Sequence, residues 1–457
     1  MMRLFGTDGI RGKAGIFPLD EKTIRAVSAV VVRRLGRPGV SQPFLIARDT
    51  RISGSWIRNH TVEELQQRGT AVRDIGVMPT PAAVHLIPEW ACCGGLVISA
   101  SHNPAADNGL KFLQSDGGKL SEEMEREIEA ELRPWLPESA EREATVPLFG
   151  MDDSGYSADE DAVATYLDRL LSQIPLKADG SLRRILVDCA HGAAVPVVQA
   201  LARRRPGLLV PFADAPDGMN INRNCGATAP QALAAAVVEN GADLGLSLDG
   251  DGDRLILVDR NGRIWDGDAL LYVFARYMDS RRALPGRTVV GTVMTNMGLE
   301  IALRRHGIHL ERTPVGDRYV QAHLRKHGYA LGGEPSGHLI VTDYGPSGDG
   351  LRAGLLASHI LRESGCSWPE LLAGYDPFPS RILNFPAVYK VPPVEIAALA
   401  ELGQRIERLT QGEGRLVARY SGTEPLFRLL IEARDLDALL PRLEDLTAAI
   451  ARKLAGE

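Results

Sequence analysis

Short, fully apolar runs alternate with longer stretches that are apolar on one face only, and this pattern persists to about residue 370. A short apolar run fits a strand buried on both sides, and apolar positions three or four apart fit a helix laid across a sheet. The alternation therefore predicts layered α/β units. Phe44-Leu45-Ile46-Ala47 predicts a strand, residues 53–68 a helix, and Leu96-Val97-Ile98-Ser99 a second strand. Another helix opens at Ser121, with Glu122 and Glu123 in its positive first turn, and stops before Pro134. Met124, Ile128 and Leu132 recur every four residues and mark its buried face.

Further along, the pattern predicts strands at 185–187 and 244–248 and helices near 193–203 and 230–240. Leu255-Ile256-Leu257-Val258 runs into Asn261-Gly262, a dipeptide suited to a hairpin turn. A strand at 288–293, a helix at 298–306 and a strand at 339–341 follow. The polar stretch 134–157 and the segment 375–379 read as linkers, and residues 380–457 as a smaller unit with two helical stretches and a strand at 426–432. The expected units are 1–150, 151–258, 259–374 and 375–457. No residue-level repeat links the first three.

The chain has 457 residues, more than one hydrophobic core usually spans, which agrees with several domains. Its 47 Gly and 28 Pro imply many tight loops, because no segment is repetitive or depleted of apolar residues. A net charge of −6 argues against general nucleic-acid binding, so an anionic ligand must be met by a local cluster of donors. Five scattered cysteines without CxxC spacing fit reduced, mostly buried thiols and a cytosolic compartment. An acidic residue, Asp8, precedes any apolar signal core, and no run suits a membrane helix, so a soluble cytoplasmic protein is expected.

The strongest chemical feature is Asp249-Gly250-Asp251-Gly252-Asp253-Arg254, directly after an apolar strand. Alternate carboxylates separated by glycines can converge where the backbone curls past the strand end. Such a group needs a cation, and all-oxygen ligation suits Mg²⁺ or Ca²⁺. An EF-hand would require Gly and Glu where the chain has Arg254 and Arg260, so that reading fails. Ser99-Ala100-Ser101-His102-Asn103-Pro104 also leaves a strand, and could expose a hydroxyl at a sheet edge. It lacks the Gly-x-Ser-x-Gly elbow of hydrolases.

Two more loops suit a polyol phosphate. Gly333-Glu334-Pro335-Ser336-Gly337-His338 offers a carboxylate, a hydroxyl and an imidazole. Arg419-Tyr420-Ser421-Gly422-Thr423-Glu424-Pro425, with Arg428 following, offers guanidinium groups and hydroxyls that match a phosphate dianion. A nucleotide P-loop and a His-Glu-x-x-His zinc motif are both missing from the sequence.

These loops, in this order along essentially the whole chain, resemble the α-D-phosphohexomutase superfamily. Phe5-Gly6-Thr7-Asp8-Gly9-Ile10-Arg11-Gly12, Asn220-Ile221-Asn222 with Cys225-Gly226, and Val315-Gly316-Asp317-Arg318-Tyr319-Val320 are similar to its phosphoglucosamine branch. Pro335 and Tyr420 depart from the Gln and Lys usual in that branch. The resemblance implies three mixed α/β/α domains and a smaller C-terminal α+β domain around a central cleft.

It also implies a role for each loop. Ser101 would be the phosphorylated serine, sharing one Mg²⁺ with Asp249, Asp251 and Asp253, and Arg254 would lie near the phosphoryl group. Glu334 and Ser336 would bind sugar hydroxyls, while Arg419, Ser421, Gly422, Thr423 and Arg428 would grip the non-reacting phosphate. Arg11, His102, Lys111 and His338 match positions that help proton transfer and phosphate contacts.

The implied reaction interconverts glucosamine 6-phosphate and glucosamine 1-phosphate through a hexosamine bisphosphate, which also acts as activator. A small-molecule hexose or hexosamine phosphate is the expected partner, with neither nucleic acid nor membrane, and a homodimer is what the family suggests. Phosphomannomutase or phosphoglucomutase activity is the alternative, and a non-catalytic sugar-phosphate-binding protein the remote one.

Overall fold

A computed structural model describes residues 4–6, 8–36, 42–135, 155–174, 184–387, 390–421 and 425–455. In the first unit, β1 (Ile10–Lys13), β2 (Phe44–Arg48), β3 (Val72–Val77), β4 (Gly94–Ile98) and β5 (Asp107–Gln114) form a sheet in the order β1-β5-β4-β2-β3. β2 and β4 are buried throughout, as strands covered by helices on both faces must be. The second unit orders β6 (Ile185–Asp188), β7 (Leu209–Phe212), β8 (Leu244–Leu248), β9 (Leu255–Asp259) and β10 (Ile264–Trp265) as β10-β9-β8-β6-β7. The third orders β11 (Thr288–Thr292), β12 (His309–Thr313), β13 (Leu331–Gly333) and β14 (Leu339–Val341) as β12-β11-β13-β14.

These three orders are one plan. A central strand (β2, β6 or β11) has a parallel neighbour on each side. One neighbour then turns back as an antiparallel hairpin: β4 into β5, β8 into β9, β13 into β14. The kinship invisible as a residue repeat is a repeat of topology. Each hairpin turn lies at the carboxyl end of a strand parallel to the sheet's centre, the edge where open α/β sheets bind ligands. The serine loop, the aspartate loop and the Glu334 loop are those three turns.

Local signals act as the sequence predicts. Ser121 Oγ accepts from Met124 N at 3.1 Å, and the helix Glu122–Leu132 buries Ile128 and Leu132 with Met124 half-buried on the same core. The hairpin at Asn261-Gly262 pairs Ile264 with Val258, and Gly262 takes the positive φ the turn requires (78°). Most of the expected linker at 134–157 falls outside the described residues. β5 escaped prediction because Asp107, Asn108 and Lys111 interrupt its apolar pattern.

One continuous apolar core threads the first three units, including Leu45, Val97, Leu246, Leu257, Val289 and Leu331. The fourth unit has its own: Phe427, Leu429 and Ile431 pack on Leu402, Ile406 and Ile450. Its sheet orders β15 (Ser380–Pro386), β16 (Gly414–Tyr420) and β17 (Leu426–Ala433) as β15-β17-β16, all antiparallel. It joins the third unit through Glu432, which accepts from Met297 N at 3.1 Å, and through Arg415 Nη2, which donates to the Thr295 carbonyl at 2.5 Å.

No described helix is long and apolar enough to cross a membrane. Cys92, Cys93, Cys189 and Cys225 are buried, Cys366 is exposed, and all five are free thiols.

Candidate active site

Ser101 leaves β4 with φ of 51° and is buried, so its side chain is aimed across the gap between the first two units rather than along the strand. Its Oγ donates to Asp249 Oδ2 at 2.5 Å and lies 3.4 Å from His102 Nδ1. A left-handed conformation at a non-glycine residue costs free energy and persists only where surrounding contacts fix it. Those contacts are present. Arg51, fully buried, sends one guanidinium nitrogen to the carbonyls of Ser101 (2.9 Å) and Asn103 (2.8 Å). Its other terminal nitrogen donates to the carbonyls of Pro104 and Asp107.

Asp49 holds Arg51 Nε at 2.9 Å and accepts from Ser99 Oγ at 2.6 Å. From the second unit, Asn222 Nδ2 donates to the carbonyls of Ser101 (2.9 Å) and Asn103 (3.1 Å). A Cβ at Gly250 would stand 2.6 Å from the Ser101 carbonyl oxygen, so only glycine lets the two loops approach this closely.

Asp249, Asp251 and Asp253 are buried, and one oxygen of each lies within 4.8 Å of the others. Asp251 Oδ1 and Asp253 Oδ1 are buried without a hydrogen-bond partner among the described residues. Burial and the neighbouring carboxylates push Asp249 and Asp253 above the ordinary carboxylate range. Burial acts the same way on Asp251, but the Lys111 charge and the hydrogen bonds from Lys111 and Thr80 together outweigh it, and Asp251 stays below that range. Orphaned, converging oxygens of this kind fit a hard divalent cation. Thr80 Oγ1 at 2.6 Å and Lys111 Nζ at 2.7 Å both donate to Asp251 Oδ2.

Lys111 points inward from β5 and is nearly inaccessible. Burial disfavours its charge, but Asp251, Asp8 (2.9 Å) and Asp253 (3.8 Å) more than offset that and raise its pKa. It is held as a cation, whereas a base would need its pKa lowered. Asp8 also meets Arg11 Nη2 and Lys119 Nζ, each at 2.6 Å. These cations outweigh burial and keep Asp8 well below its usual value. Lys119 continues to Asp317 Oδ2 at 2.5 Å, and His338 Nε2 stands 3.4 Å from the same oxygen.

His102 is driven down to about 4 by burial and then by Arg254 and Arg11, so it is neutral at pH 7. Arg254 Nε is 3.8 Å from Asp253 and 4.0 Å from Asp249. In the third hairpin turn, Glu334 Oε1 accepts from Gly316 N at 3.1 Å, and Ser336 is half-buried. A bridge between Arg254 and His338 places this turn beside the aspartate turn.

Arg419, Ser421 and Arg428 gather separately, on the β16–β17 pair. Arg419 and Arg428 are direct cross-strand partners, and burial with the Arg428 charge lowers the Arg419 pKa. Like charges placed opposite each other destabilise a sheet, and an anion between them reverses that. Gly422 and Thr423 lie outside the described residues. Tyr420 donates to the Val391 carbonyl at 2.6 Å, which occupies its hydroxyl with structure.

The structure therefore brings Arg11, Ser101, His102, Lys111, the three aspartates, Arg254, Glu334 and His338 into one neighbourhood of three sheets. Sequence reasoning missed Asp49, Arg51, Thr80 and Lys119, and it quoted Asp8, Asn222 and Asp317 without giving them work. One signal was available for Asp49 and Arg51, which follow a buried parallel strand directly and so fall at the ligand-binding edge of the sheet.

Comparison with known proteins gives a consistent result. Models of the phosphoglucomutase/phosphomannomutase family match in series: α/β/α domain I over 2–135, II over 164–262, III over 266–378, and the C-terminal domain over 381–450. The chain is 40% identical over 453 residues to the phosphoglucosamine mutase of Rhodospirillum centenum, covering 98% of this chain and 95% of that one. It is also 40% identical over 444 residues to that of Pelotomaculum thermopropionicum, covering 95% and 96%. A phosphoglucomutase/phosphomannomutase family protein from Burkholderia thailandensis has a similar fold, with TM-score 0.76, 24% identity, and 98% and 97% coverage. So does N-acetylphosphoglucosamine mutase of Aspergillus fumigatus, solved with GlcNAc-6P and magnesium, with TM-score 0.64, 17% identity, and 98% and 96% coverage.

Proposed function

The chain belongs to the phosphoglucomutase/phosphomannomutase family, and from that premise we propose that it interconverts glucosamine 6-phosphate and glucosamine 1-phosphate, as its phosphoglucosamine mutase relatives are named for doing. The observation that carries this reading is the Ser101–Asp249 contact at 2.5 Å, which sets a nucleophilic hydroxyl against a buried acidic trio. The units would divide near the expected residues 150 and 374, but the second division would fall after Trp265 rather than at 258, because β10 (Ile264–Trp265) pairs with β9 in the second sheet. Cytoplasmic amino-sugar precursor synthesis would be the setting.

O1 and O6 lie on opposite sides of the sugar, so one reacting centre cannot hold both at once. Ser101 carries a phosphoryl group. The free sugar hydroxyl attacks that phosphorus, the Ser101 Oγ–P bond breaks, and a hexosamine bisphosphate results. After the intermediate turns end for end, Ser101 Oγ attacks the other phosphorus, that sugar O–P bond breaks, and the departing sugar oxygen takes up a proton as the isomer is released. Positioning and charge neutralisation dominate such transfers.

Asp249, Asp251 and Asp253, with the Ser101 ester, would hold Mg²⁺, which when bound neutralises phosphoryl oxygens. Arg254 and the cationic Lys111 add fixed positive charge. His338, whose Nε2 lies 3.4 Å from Asp317 Oδ2, is the better group to take the attacking hydroxyl's proton, since Lys111 already holds its own. Glu334 and Ser336 would bind sugar hydroxyls. Arg419, Ser421, Gly422, Thr423 and Arg428 would hold the idle phosphate at either end of the substrate, and Arg11 and His102 would contact the transferring one.

The test is kcat/KM for glucosamine, glucose and mannose phosphates with Mg²⁺ and a trace of hexose bisphosphate. Preference for glucosamine phosphate is expected; preference for mannose phosphate would transfer the assignment to a phosphomannomutase.

A further inference from the structure

β12 is the free edge of the third sheet, and the helix Asp317–His327 packs beside it. Glu311 projects from the strand. His323 and His327, four residues apart, share one helix face. One ligand atom from each of the three lies within 4.8 Å of the others. His323 Nε2 is 2.5 Å from Glu311 Oε2, and the two imidazole centroids are 4.2 Å apart.

Two outer hydrogen bonds orient the group. Tyr329 donates its hydroxyl to Glu311 Oε1 at 2.9 Å, which leaves Oε2 toward the imidazoles. His327 Nδ1 lies 3.0 Å from the His323 carbonyl oxygen. A carbonyl can only accept, so Nδ1 bears the proton and Nε2 keeps its lone pair. Metal-binding histidines are oriented by just such a bond from the opposite ring nitrogen.

We propose that Glu311, His323 and His327 form a second cation site, chemically distinct from the aspartate trio and selective for a borderline transition ion such as Zn²⁺. Two imidazole nitrogens and one carboxylate are a zinc donor set with a fourth position for water, whereas three carboxylates suit Mg²⁺. His327 is exposed, so solvent reaches that fourth position. The ion would pin an edge strand to the helix that begins at Asp317, the residue bridging Lys119 and His338. The site is a staple of the third unit and takes no part in phosphoryl transfer.

The test uses chelator-stripped full-length protein in excess Mg²⁺, titrated with Co²⁺ as a spectroscopic probe and then with Zn²⁺. Wild type should develop the intense visible bands of a low-coordinate nitrogen-containing site, displaced by one equivalent of Zn²⁺. His323→Gln/His327→Gln should lose the bands and bind one Zn²⁺ fewer, with unchanged circular dichroism and mutase activity. Tyr329→Phe, which keeps every ligand, should weaken Zn²⁺ binding by about tenfold. Equal Zn²⁺ stoichiometry and equal spectra in wild type and the double variant would overturn the proposal and leave Glu311–His323 as an ion pair. If the double variant fails to fold, the Tyr329→Phe affinity decides, and an unchanged value refutes the site.

Discussion

Ser101 Oγ donates to Asp249 Oδ2 at 2.5 Å, although 148 residues separate the two in the chain. A phosphoserine has no hydroxyl proton to donate, so phosphorylation must break this bond and free that carboxylate oxygen. Ser101→Ala should therefore abolish turnover, by at least ~10⁴-fold in kcat, with the fold intact. Turnover measured alongside circular dichroism checks this, and activity within tenfold of wild type would remove Ser101 from the reaction.

Arg51 acts through the serine loop it clamps. Arg51→Lys keeps the positive charge but loses the fork that spans four carbonyls. Displacing the nucleophile by about 1 Å costs on the order of 10²-fold in rate. The expected signature is a lower kcat with little change in KM, together with slower phosphorylation of Ser101 by hexose bisphosphate. A change confined to KM would contradict a positioning role.

Lys111 is buried among Asp8, Asp251 and Asp253. Lys111→Met removes the cation paired with Asp251 at 2.7 Å, while Asp8 keeps Arg11 and Lys119, and breaking a buried pair in this way typically costs about 3–5 kcal/mol. It also frees Asp251 Oδ2 from a competing cation. The metal-free variant should be less stable than wild type, yet gain more in melting temperature on adding Mg²⁺. Equal Mg²⁺-induced shifts in both proteins would count against the trio as the ion's site.

Acid stability has a defined sign. His85 is buried and accepts from Arg352 Nη2 at 2.7 Å; burial, then the Arg352 charge, lowers its pKa from 6.5 to about 2. Below about pH 6.5 the unfolded chain binds a proton that the fold refuses, so stability falls as pH drops through that value. His85→Gln should flatten the slope of unfolding free energy between pH 4.5 and 6 by up to about 1.4 kcal/mol per pH unit. Urea unfolding across that range measures it, and parallel slopes would exclude His85.

The sequence made some of this site legible and hid the rest. Asp249, Asp251 and Asp253 were readable because a local run of alternating carboxylates and glycines has few uses besides a cation. Ser101 needed the family resemblance, since a Ser-rich turn has many innocent explanations. Lys111 was legible as a motif but not as a buried cation, because its partners Asp8, Asp251 and Asp253 come from two other loops. Arg51 looked like one arginine among many. Its fully buried fork appears only once the loop from Ser101 to Asp107 folds over it.

The order of apolar runs by itself determined the layered α/β units, the separate C-terminal unit and the strand ends on which the serine and aspartate motifs sit. Those depend on periodicities a few residues long, which any short window displays. Only the tertiary structure decided that three hairpin turns from one repeated sheet plan meet at a common edge. It also decided that Lys111 stays charged and that Glu311 faces two histidines across a strand and a helix. These outcomes rest on contacts between residues as far apart as 198 positions and on burial, which alters charge energies by taking groups out of water.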